Sequence, residues 1–328
     1  MSVSAPPDSG ARKLPPELIR VVFERVLDLA HLQKLRTFIV GGAVRDHLIW
    51  NKGSNGHREA LASIRDLDIV VEGDARAFAT SANETLRGKV QTFDRFLTAK
   101  IIAPEAIPGI AEIDFASTRT EIYERSGALP TVKLATLDAD LRRRDFSINA
   151  LAVPLERAGA LTALDAPLSS TDVIDQFEGV QDIEHGFVKT LHPVSFVDDP
   201  TRLFRAVRYT VRLGFALADS SQREFAAAVS NGALKEISAA RVFTEVRKIL
   251  KEPDARVILL KCDELQLFAN WLPRQALSDE EFTRLLVGLS AGVNEHEFLK
   301  RICKAAPDQQ PQSWGLSLSR AVVKELLE

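Results

Sequence analysis

The chain has 328 residues, 45% hydrophobic and 27% charged, with 42 Lys and Arg against 45 Asp and Glu for a net charge of −3. That length fits about two domains with a real core, and the balance excludes a disordered or collagen-like chain. Two cysteines exclude a disulfide framework, the six histidines form no metal-spaced pair, and no apolar run approaches the ~18 residues of a membrane span, so a cytoplasmic protein is expected.

The first seventeen residues are polar and rich in Pro and Ser, and 1–16 read as a loose arm. Leu18, Val21, Val22, Val26, Leu29 and Leu32 then recur at helical spacing, which predicts an amphipathic helix over 18–35. Phe38-Ile39-Val40 is a short apolar run ending in Gly41-Gly42, a buried strand feeding a tight turn. Ala43 to Trp50 reads as a helix with that turn at its N-terminus. Bare backbone N–H groups and Arg45 are thereby placed where an anion can sit. No Gly-Lys-Ser/Thr follows, so the turn is not a P-loop, and Gly-x-Gly-x-x-Gly is absent.

After a polar spacer at 51–63, the segment Ile64 to Asp74 alternates. Leu67, Ile69 and Val71 point to one face, Asp66 and Asp68 to the other. Two carboxylates two residues apart on a strand lie roughly 7 Å apart. They can reach one or two hard cations, and Mg²⁺ takes such oxygen ligands while also holding substrate phosphates. A Gly-Gly pair alone is more often just a turn, and Asp-x-Asp alone is often a solvated strand edge. Together they point to a phosphate-binding turn followed by a metal-binding strand.

Asp74 is placed to cap a helix running to about Leu86, and 89–93 with 96–103 read as a hairpin. Gly109–Phe115 reads as a strand with Glu112 and Asp114 on one face. Asp114 is either a third metal-side carboxylate or part of a solvated face. Thr118–Ala135 has little apolar periodicity and contains Ser126-Gly127 and Leu129-Pro130, so a loop is expected. Leu137–Ala152 carries Arg142-Arg143-Arg144-Asp145, and three arginines in a row are by themselves usually a solvated face. Leu161–Asp165 reads as a strand and turn.

Asp199, Pro200 and Gly214 mark the start and stop of a helix. At 100° per residue, Leu203, Phe204, Ala206, Val207 and Val211 fall on one side. Arg202, Arg205, Arg208 and Arg212 fall on the other, with Tyr209 among them. No acid is interleaved, which favours a bound polyanion over a solvated face. From Thr201 to Arg256, eleven Lys and Arg stand against six Asp and Glu, a local +5. Beyond Ala218 the segments 219–230, 238–251, 254–267, 280–292 and 315–327 read as helices.

Three of these blocks, in order, carry a resemblance. Gly41-Gly42-Ala43-Val44-Arg45-Asp46 followed by Asp66-Leu67-Asp68 resembles the first motif of the class II (bacterial-type) tRNA nucleotidyltransferase and poly(A) polymerase family. Arg143-Arg144-Asp145-Phe146-Ser147-Ile148-Asn149-Ala150 resembles its second. Asp198-Asp199-x-x-Arg202 resembles its base-selecting motif, with Asp198 where many members have Glu. The resemblance covers about residues 37–250, and the part beyond is shorter than in many members.

It implies an α/β nucleotidyltransferase head with a polymerase-beta-like mixed sheet over 37–154. An N-terminal arm and helix (1–36) would precede it, a neck with the nucleotide-selecting helix (155–215) and an all-α RNA-binding body (216–328) would follow. It also implies template-independent addition of CCA, or its terminal A, to the 3′ end of tRNA from CTP and ATP, with release of pyrophosphate. Asp66 and Asp68 would be catalytic, holding Mg²⁺, with Asp114 left as the candidate third ligand read from its strand face. Gly41, Gly42, Arg45 and Arg144 would bind phosphates, and Asp145 and Asn149 would shape the sugar side. Asp199 and Arg202 would read the base, with Arg205 and Arg208 completing the nucleotide-binding set.

The segment from Arg119-Thr120-Glu121 to Gly127-Ala128-Leu129-Pro130 resembles the mobile segment of CCA-adding and A-adding members. Poly(A) polymerases of the family tend to follow the Asn with an aromatic pair. Here Ala150-Leu151-Ala152 follows Asn149, which tilts the reading toward tRNA. CCA addition, A-only addition and poly(A) synthesis stay open. So do a metal-dependent Asp-x-Asp glycosyltransferase and a non-catalytic RNA-binding relative.

Overall fold

The computed structural model describes residues 16–52, 68–106, 112–122, 124, 130–157, 170–269, 278–287 and 295–305. Asp66, the strand expected at 161–165 and the helix expected at 315–327 lie outside the described residues. The chain opens with helix α1 (Pro16–Gln33), then strand β1 (Thr37–Val40), α2 (Gly42–Lys52), β2 (Asp68–Val71) and α3 (Ala75–Leu86). Strands β3 (Lys89–Phe93), β4 (Thr98–Ile102) and β5 (Glu112–Ser117) follow. After β6 (Arg119–Ile122), β7 (Thr131–Leu134) and α4 (Leu137–Arg142), the chain returns to the sheet with β8 (Leu151–Pro154) and β9 (Ile174–Asp175).

Seven strands form one mixed sheet in the order β3-β4-β5-β2-β1-β8-β9, with β2 and β5 parallel and the other neighbours antiparallel. The sheet has two apolar faces. One packs Ile39, Ile69, Val71, Ile101, Ile113 and Phe115 against Phe78, Ala79 and Ala82 of α3 and Val22 and Val26 of α1. The other gathers Phe38, Val40, Val70, Ala150 and Ala152 under Leu137 and Leu141 of α4. Alternation along each strand produces both faces from one run of residues. Asp74 caps α3, its carboxylate accepting from the backbone of Arg76 and Ala77.

Two expectations need correction. Leu32, placed on the buried stripe of α1, is 80% exposed. It lies roughly 135° from the centre of the face made by Val22, Phe23, Val26 and Ala30. The segment expected as a loop contains an antiparallel ribbon, β6 paired with β7 from Arg119↔Leu134 to Ile122↔Thr131. Its ladder satisfies its own backbone groups, and none of its strand residues is buried, so no apolar period marks it. Its base is closed by Ala135 N–H donating to the Thr118 carbonyl at 2.9 Å and Thr118 Oγ1 to the Ala135 carbonyl at 2.6 Å.

The remainder is mostly helical: α5 (Gly179–His185), α6 (Ser195–Asp198), α7 (Thr201–Leu213), α8 (Asp219–Ser230), α9 (Ala239–Leu250), α10 (Ala255–Glu264), α11 (Asp279–Val287) and α12 (Glu295–Ala305). The last of these was not legible as a separate helix. Two-residue strands β10 (Phe187–Val188) and β11 (Ala216–Leu217) pair in parallel beside them. Aromatic contacts run from the head into the body: Phe146 against Tyr209 at 5.9 Å, Phe146 against Phe196 at 6.3 Å, and Phe196 against Phe225 at 5.5 Å between centroids. Among the described residues, no helix is long and apolar enough to cross a membrane.

Helix α5 locks the head sheet to the segment before α6. Asp175 accepts from the N–H groups of Gly179 and Val180, both at 2.9 Å, and Ser147 Oγ donates to Asp182 Oδ2 at 2.5 Å. A Cβ at Gly179 would fall inside van der Waals distance of the Ser147 carbonyl oxygen, and that neighbour is backbone. Gly179→Ala should therefore destabilise the fold by about 1–3 kcal/mol through overpacking. Urea unfolding measures it; an unchanged midpoint would mean the packing yields without strain.

Candidate active site

Strand register assembles the site at one end of the sheet. The β1–β2 pairing runs from Thr37↔Val71 to Ile39↔Ile69, which brings Val40 level with Asp68. Val40 pairs Ala152 on its other side, and Gly41 N–H donates to the Leu151 carbonyl at 3.0 Å. Asp68 is in register with Asp114 on the parallel neighbour β5, and Asp114 with Lys100 on β4. Asp68 lies two residues before Val70 and Asp114 two before Ala116. Both carboxylates therefore share the face that α4 covers further along.

Like charges directly opposite on neighbouring strands repel, so this pair calls for a cation. Lys100 supplies part of it: Nζ lies 3.0 Å from Glu112 Oε1 and 3.0 Å from Asp114 Oδ1. Burial works against the Lys100 charge, but the bonds to Glu112 and Asp114 outweigh it and raise its pKa. Among the described residues, no group of three or more His, Cys, Asp or Glu is arranged to hold a metal. The donor set fits a hard divalent cation all the same. It is all carboxylate oxygen, Asp68 is exposed and Asp114 only half-buried, and Asp66 stands two residues before Asp68. Lys100 was missed in the sequence because a single lysine on a strand carries no pattern of its own.

The glycine turn faces Arg144. Gly41 has φ of +68°, a conformation that favours glycine, and an added Cβ there would lie 3.0 Å from Arg144 Nη1. The first helical bond of α2 is Arg45 N–H to the Gly41 carbonyl at 3.0 Å, so the N–H groups of Gly42, Ala43 and Val44 precede it. Arg144 Nη2 donates to Asp140 Oδ2 at 2.9 Å and Nη1 to the Asn149 carbonyl at 3.3 Å. Its Nε is buried and makes no hydrogen bond among the described residues. Asp140 lies four residues before Arg144 and is fully buried; Arg143 also binds it and Glu121, which ties α4 to the ribbon. Burial pushes the Asp140 carboxyl up, yet Arg144 and Arg143 outweigh it and leave the pKa lowered.

Arg45 does not face an open anion site. It is 2% exposed and donates from Nε to Asp46 Oδ1 at 2.8 Å and from Nη1 to Asn149 Oδ1 at 2.5 Å. Its guanidinium stacks over the Tyr209 ring at 4.9 Å. Arg205 and Arg208 lie against the same ring at 5.5 and 5.2 Å. Asp145 accepts from Arg205 Nε at 2.7 Å, Asn149 Nδ2 at 3.0 Å and its neighbour Phe146 N–H at 2.9 Å.

The arginine face of α7 is likewise not an open cationic surface. Arg208 Nη1 lies 3.5 Å from Glu245 and its Nε 3.7 Å from Glu252. Arg212 reaches Asp46 at 3.1 Å and Glu252 at 3.7 Å. The expected lack of acidic partners holds within the helix only, because Asp46, Asp145, Glu245 and Glu252 come from elements distant in sequence.

Arg202, 5% exposed, donates to Ser195 Oγ at 2.6 Å and to the Arg143 carbonyl at 2.8 Å. Asp199 Oδ1 accepts from Thr201 N–H at 3.0 Å, Thr201 Oγ1 at 2.6 Å and Arg241 Nη2 at 2.7 Å. The structure thus groups Gly41 with Arg144, Asp68 with Asp114, and Arg45 with Asp145, Asn149 and Arg205. Arg208 points instead to the body.

A mixed sheet with paired carboxylates beside a glycine turn, followed by helices, is the head-and-body fold of a nucleotidyltransferase. Residues 37–189 match the Poly A polymerase head domain, and residues 214–277 match the probable RNA and SrmB-binding site of polymerase A. The chain belongs to the tRNA nucleotidyltransferase and poly(A) polymerase family. It is 36% identical over 234 residues to the A-adding tRNA nucleotidyltransferase of Geobacter sulfurreducens, 71% of this chain and 24% of that protein. To the A-adding tRNA nucleotidyltransferase of Halalkalibacterium halodurans it is 34% identical over 250 residues, 75% of this chain and 52% of that one. The chain thus spans about a quarter to a half of the length of these relatives. A solved CCA-adding enzyme in complex with ATP matches with a TM-score of 0.66 at 26% identity, covering 96% of this chain and 69% of the other.

Burial pushes the Asp145 carboxyl up, but Arg205, the Asn149 amide and Arg202 outweigh it and bring it from the ordinary 3.8 down to about 2. The carboxyl is depressed in the fold, so its stabilisation is complete above about pH 4 and is lost as pH falls toward 2. Asp145→Asn should unpair Arg205 and cost about 3–5 kcal/mol at neutral pH. It should also flatten the stability profile between pH 4 and 2, since one of the carboxyls responsible has gone. Urea unfolding across that range checks this, and an acid slope equal to wild type would contradict it.

Proposed function

We propose that the protein transfers AMP from ATP to the 3′-hydroxyl of a tRNA lacking its terminal A, releasing pyrophosphate. The observation that carries this reading is the pairing of Asp68 with Asp114 at the sheet end that also holds the Gly41-Gly42 turn. Two relatives named for A addition and the ATP complex of a CCA-adding enzyme support it. In this reading residues 37–154 are the catalytic head, 155–215 the neck and 216–328 a body that grips RNA, working in the cytoplasm.

Asp66, Asp68 and Asp114 would hold the divalent cation, Mg²⁺ by the hardness of carboxylate oxygen, and its chemistry there is to activate the attacking hydroxyl and offset triphosphate charge. The protein's own groups do the rest. The N–H groups of Gly42, Ala43 and Val44 meet phosphate oxygens at the positive end of α2. Arg144 adds a planar fork whose direction is fixed by Asp140, and its buried Nε is a donor in want of an acceptor. Asn149 and Asp145 form the sugar-side wall, with Arg45 as a buttress behind Asn149.

Asp199 and Arg202 read the base. Adenine and cytosine both present an amine donor beside a ring-nitrogen acceptor; uracil and guanine present the reverse. A carboxylate that only accepts and a guanidinium that only donates match the first pair alone. Arg241 and Thr201 hold the Asp199 carboxylate, while Ser195 and the Arg143 carbonyl hold Arg202, so both are positioned in advance. The same edge logic admits cytosine, which makes full CCA addition the second reading.

Transfer assays with tRNAs lacking one, two or three 3′-nucleotides separate these readings. Extension by a single A of only the tRNA lacking one nucleotide is expected. Completion of all three from CTP and ATP would replace A addition by CCA addition, and transfer to none would overturn the activity. Asp68→Ala should stay folded and lose about a thousandfold or more of the rate. Arg144→Lys should raise the KM for ATP roughly tenfold, the loss of about one charge-assisted hydrogen bond. A folded Asp68→Ala protein with near-normal transfer would remove Asp68 from the chemistry.

A further inference from the structure

Lys100, Asp114 and Asp68 form one row across the neighbouring strands β4, β5 and β2, with strands about 4.8 Å apart. Asp114 stands in the middle, between a fixed cation and a second carboxylate. Lys100 Nζ is shared evenly, 3.0 Å from Asp114 Oδ1 and 3.0 Å from Glu112 Oε1, and also lies 3.3 Å from Asp114 Oδ2. Both Asp114 oxygens, the donors a metal would need, are therefore engaged by the lysine. Glu112, two residues before Asp114 on the same strand face, gives the ammonium a second berth. Lys100 can thus leave Asp114 without being stranded.

We propose that Lys100 is a tethered competitor of the divalent cation, occupying the Asp114 oxygens until the metal displaces it onto Glu112. The inference rests on the reading of Asp68 and Asp114 as metal ligands. Its consequence is that metal affinity is set below what the carboxylates alone would give. Stable occupancy then depends on a further oxygen donor arriving with the cation, and the phosphates of a nucleoside triphosphate are such donors. An ordinary cross-strand ion pair would have the same geometry but would act on metal affinity only through its net field, which removing Lys100 and Glu112 together would cancel.

The test is binding of Mn²⁺ alone to the full chain, followed by calorimetry and by the loss of the free-Mn²⁺ electron paramagnetic resonance signal. Lys100→Met should lower the Kd for Mn²⁺ about fivefold, the factor of one partly exposed ion pair. Lys100→Gln serves in its place if Met unsettles the strand. The double variant Lys100→Met with Glu112→Gln keeps the wild-type net charge and should still bind Mn²⁺ more tightly than wild type. Asp68→Asn identifies the site by abolishing the binding. If Lys100→Met leaves the Kd unchanged or raises it while Asp68→Asn abolishes binding, the competition is wrong and the metal reading stands. If the double variant returns to the wild-type Kd, the effect is one of overall field, and direct competition is again wrong. Absence of any Mn²⁺ binding that depends on Asp68 would overturn both.

Discussion

A buried carboxylate joins the head to the helices. Asp145, 7% exposed, accepts from Arg205 on α7, from the Asn149 amide and from the Phe146 backbone. Isolated in an apolar interior that charge would be untenable, so the fold must bring Arg205 to it. Once Arg205 is fixed, Tyr209 one turn on is fixed too, and Arg45 of α2 stacks on its ring. Arg45 then holds Asn149 and Asp46, and Asp46 holds Arg212. Each acid in this chain of contacts meets an arginine from another element. The relative placement of head and α7 is thus over-determined by charge as well as by the contact of the Phe146 and Tyr209 rings.

That rigidity matters because the site is spread over elements that never touch in sequence. The carboxylates belong to β2 and β5, the turn to the junction of β1 and α2, and Arg144 to the end of α4. Asp199 and Arg202, proposed above to read the base, lie across the head–helix junction. Arg202 reaches back to the Arg143 carbonyl, next to the arginine that flanks the glycine turn. A shift of α7 by about an ångström would separate Asp199 and Arg202 from Arg144 and the glycine turn. In the proposed transfer, positioning of this kind is where much of the rate would reside.

The parts of the site legible in the sequence are those whose signal is local. Period-two alternation placed Asp68 and Asp114 on strand faces, and the apolar run into Gly41-Gly42 placed the turn. Asp199, Pro200 and Gly214 marked the ends of α7 to within two residues. What escaped was set by partners distant along the chain. The arginines of α7 lack acids within their helix, but Asp46, 166 residues away from Arg212, and Asp145, 60 from Arg205, supply them. Arg45 looked like an anion ligand because it follows a glycine turn at a helix N-terminus; only the fold reveals that Asn149, 104 residues on, takes its charge inward. The β6–β7 ribbon escaped for a different reason: a two-stranded ladder with no fully buried residue needs no apolar period. Asp140, four residues before Arg144, was within reach of helical pairing rules.

Asp145 and Arg205 act as one unit that holds the pocket together across the head–helix junction. A double-mutant cycle with Asp145→Asn and Arg205→Gln, read both as unfolding free energy and as the Kd for ATP, tests it directly. Such a unit predicts a coupling of about 1.5 kcal/mol or more in stability, because either single change strands a buried charge that the double change removes. It also predicts that the double variant binds ATP no worse than either single one. Additive effects on both quantities, within about 0.5 kcal/mol, would contradict it.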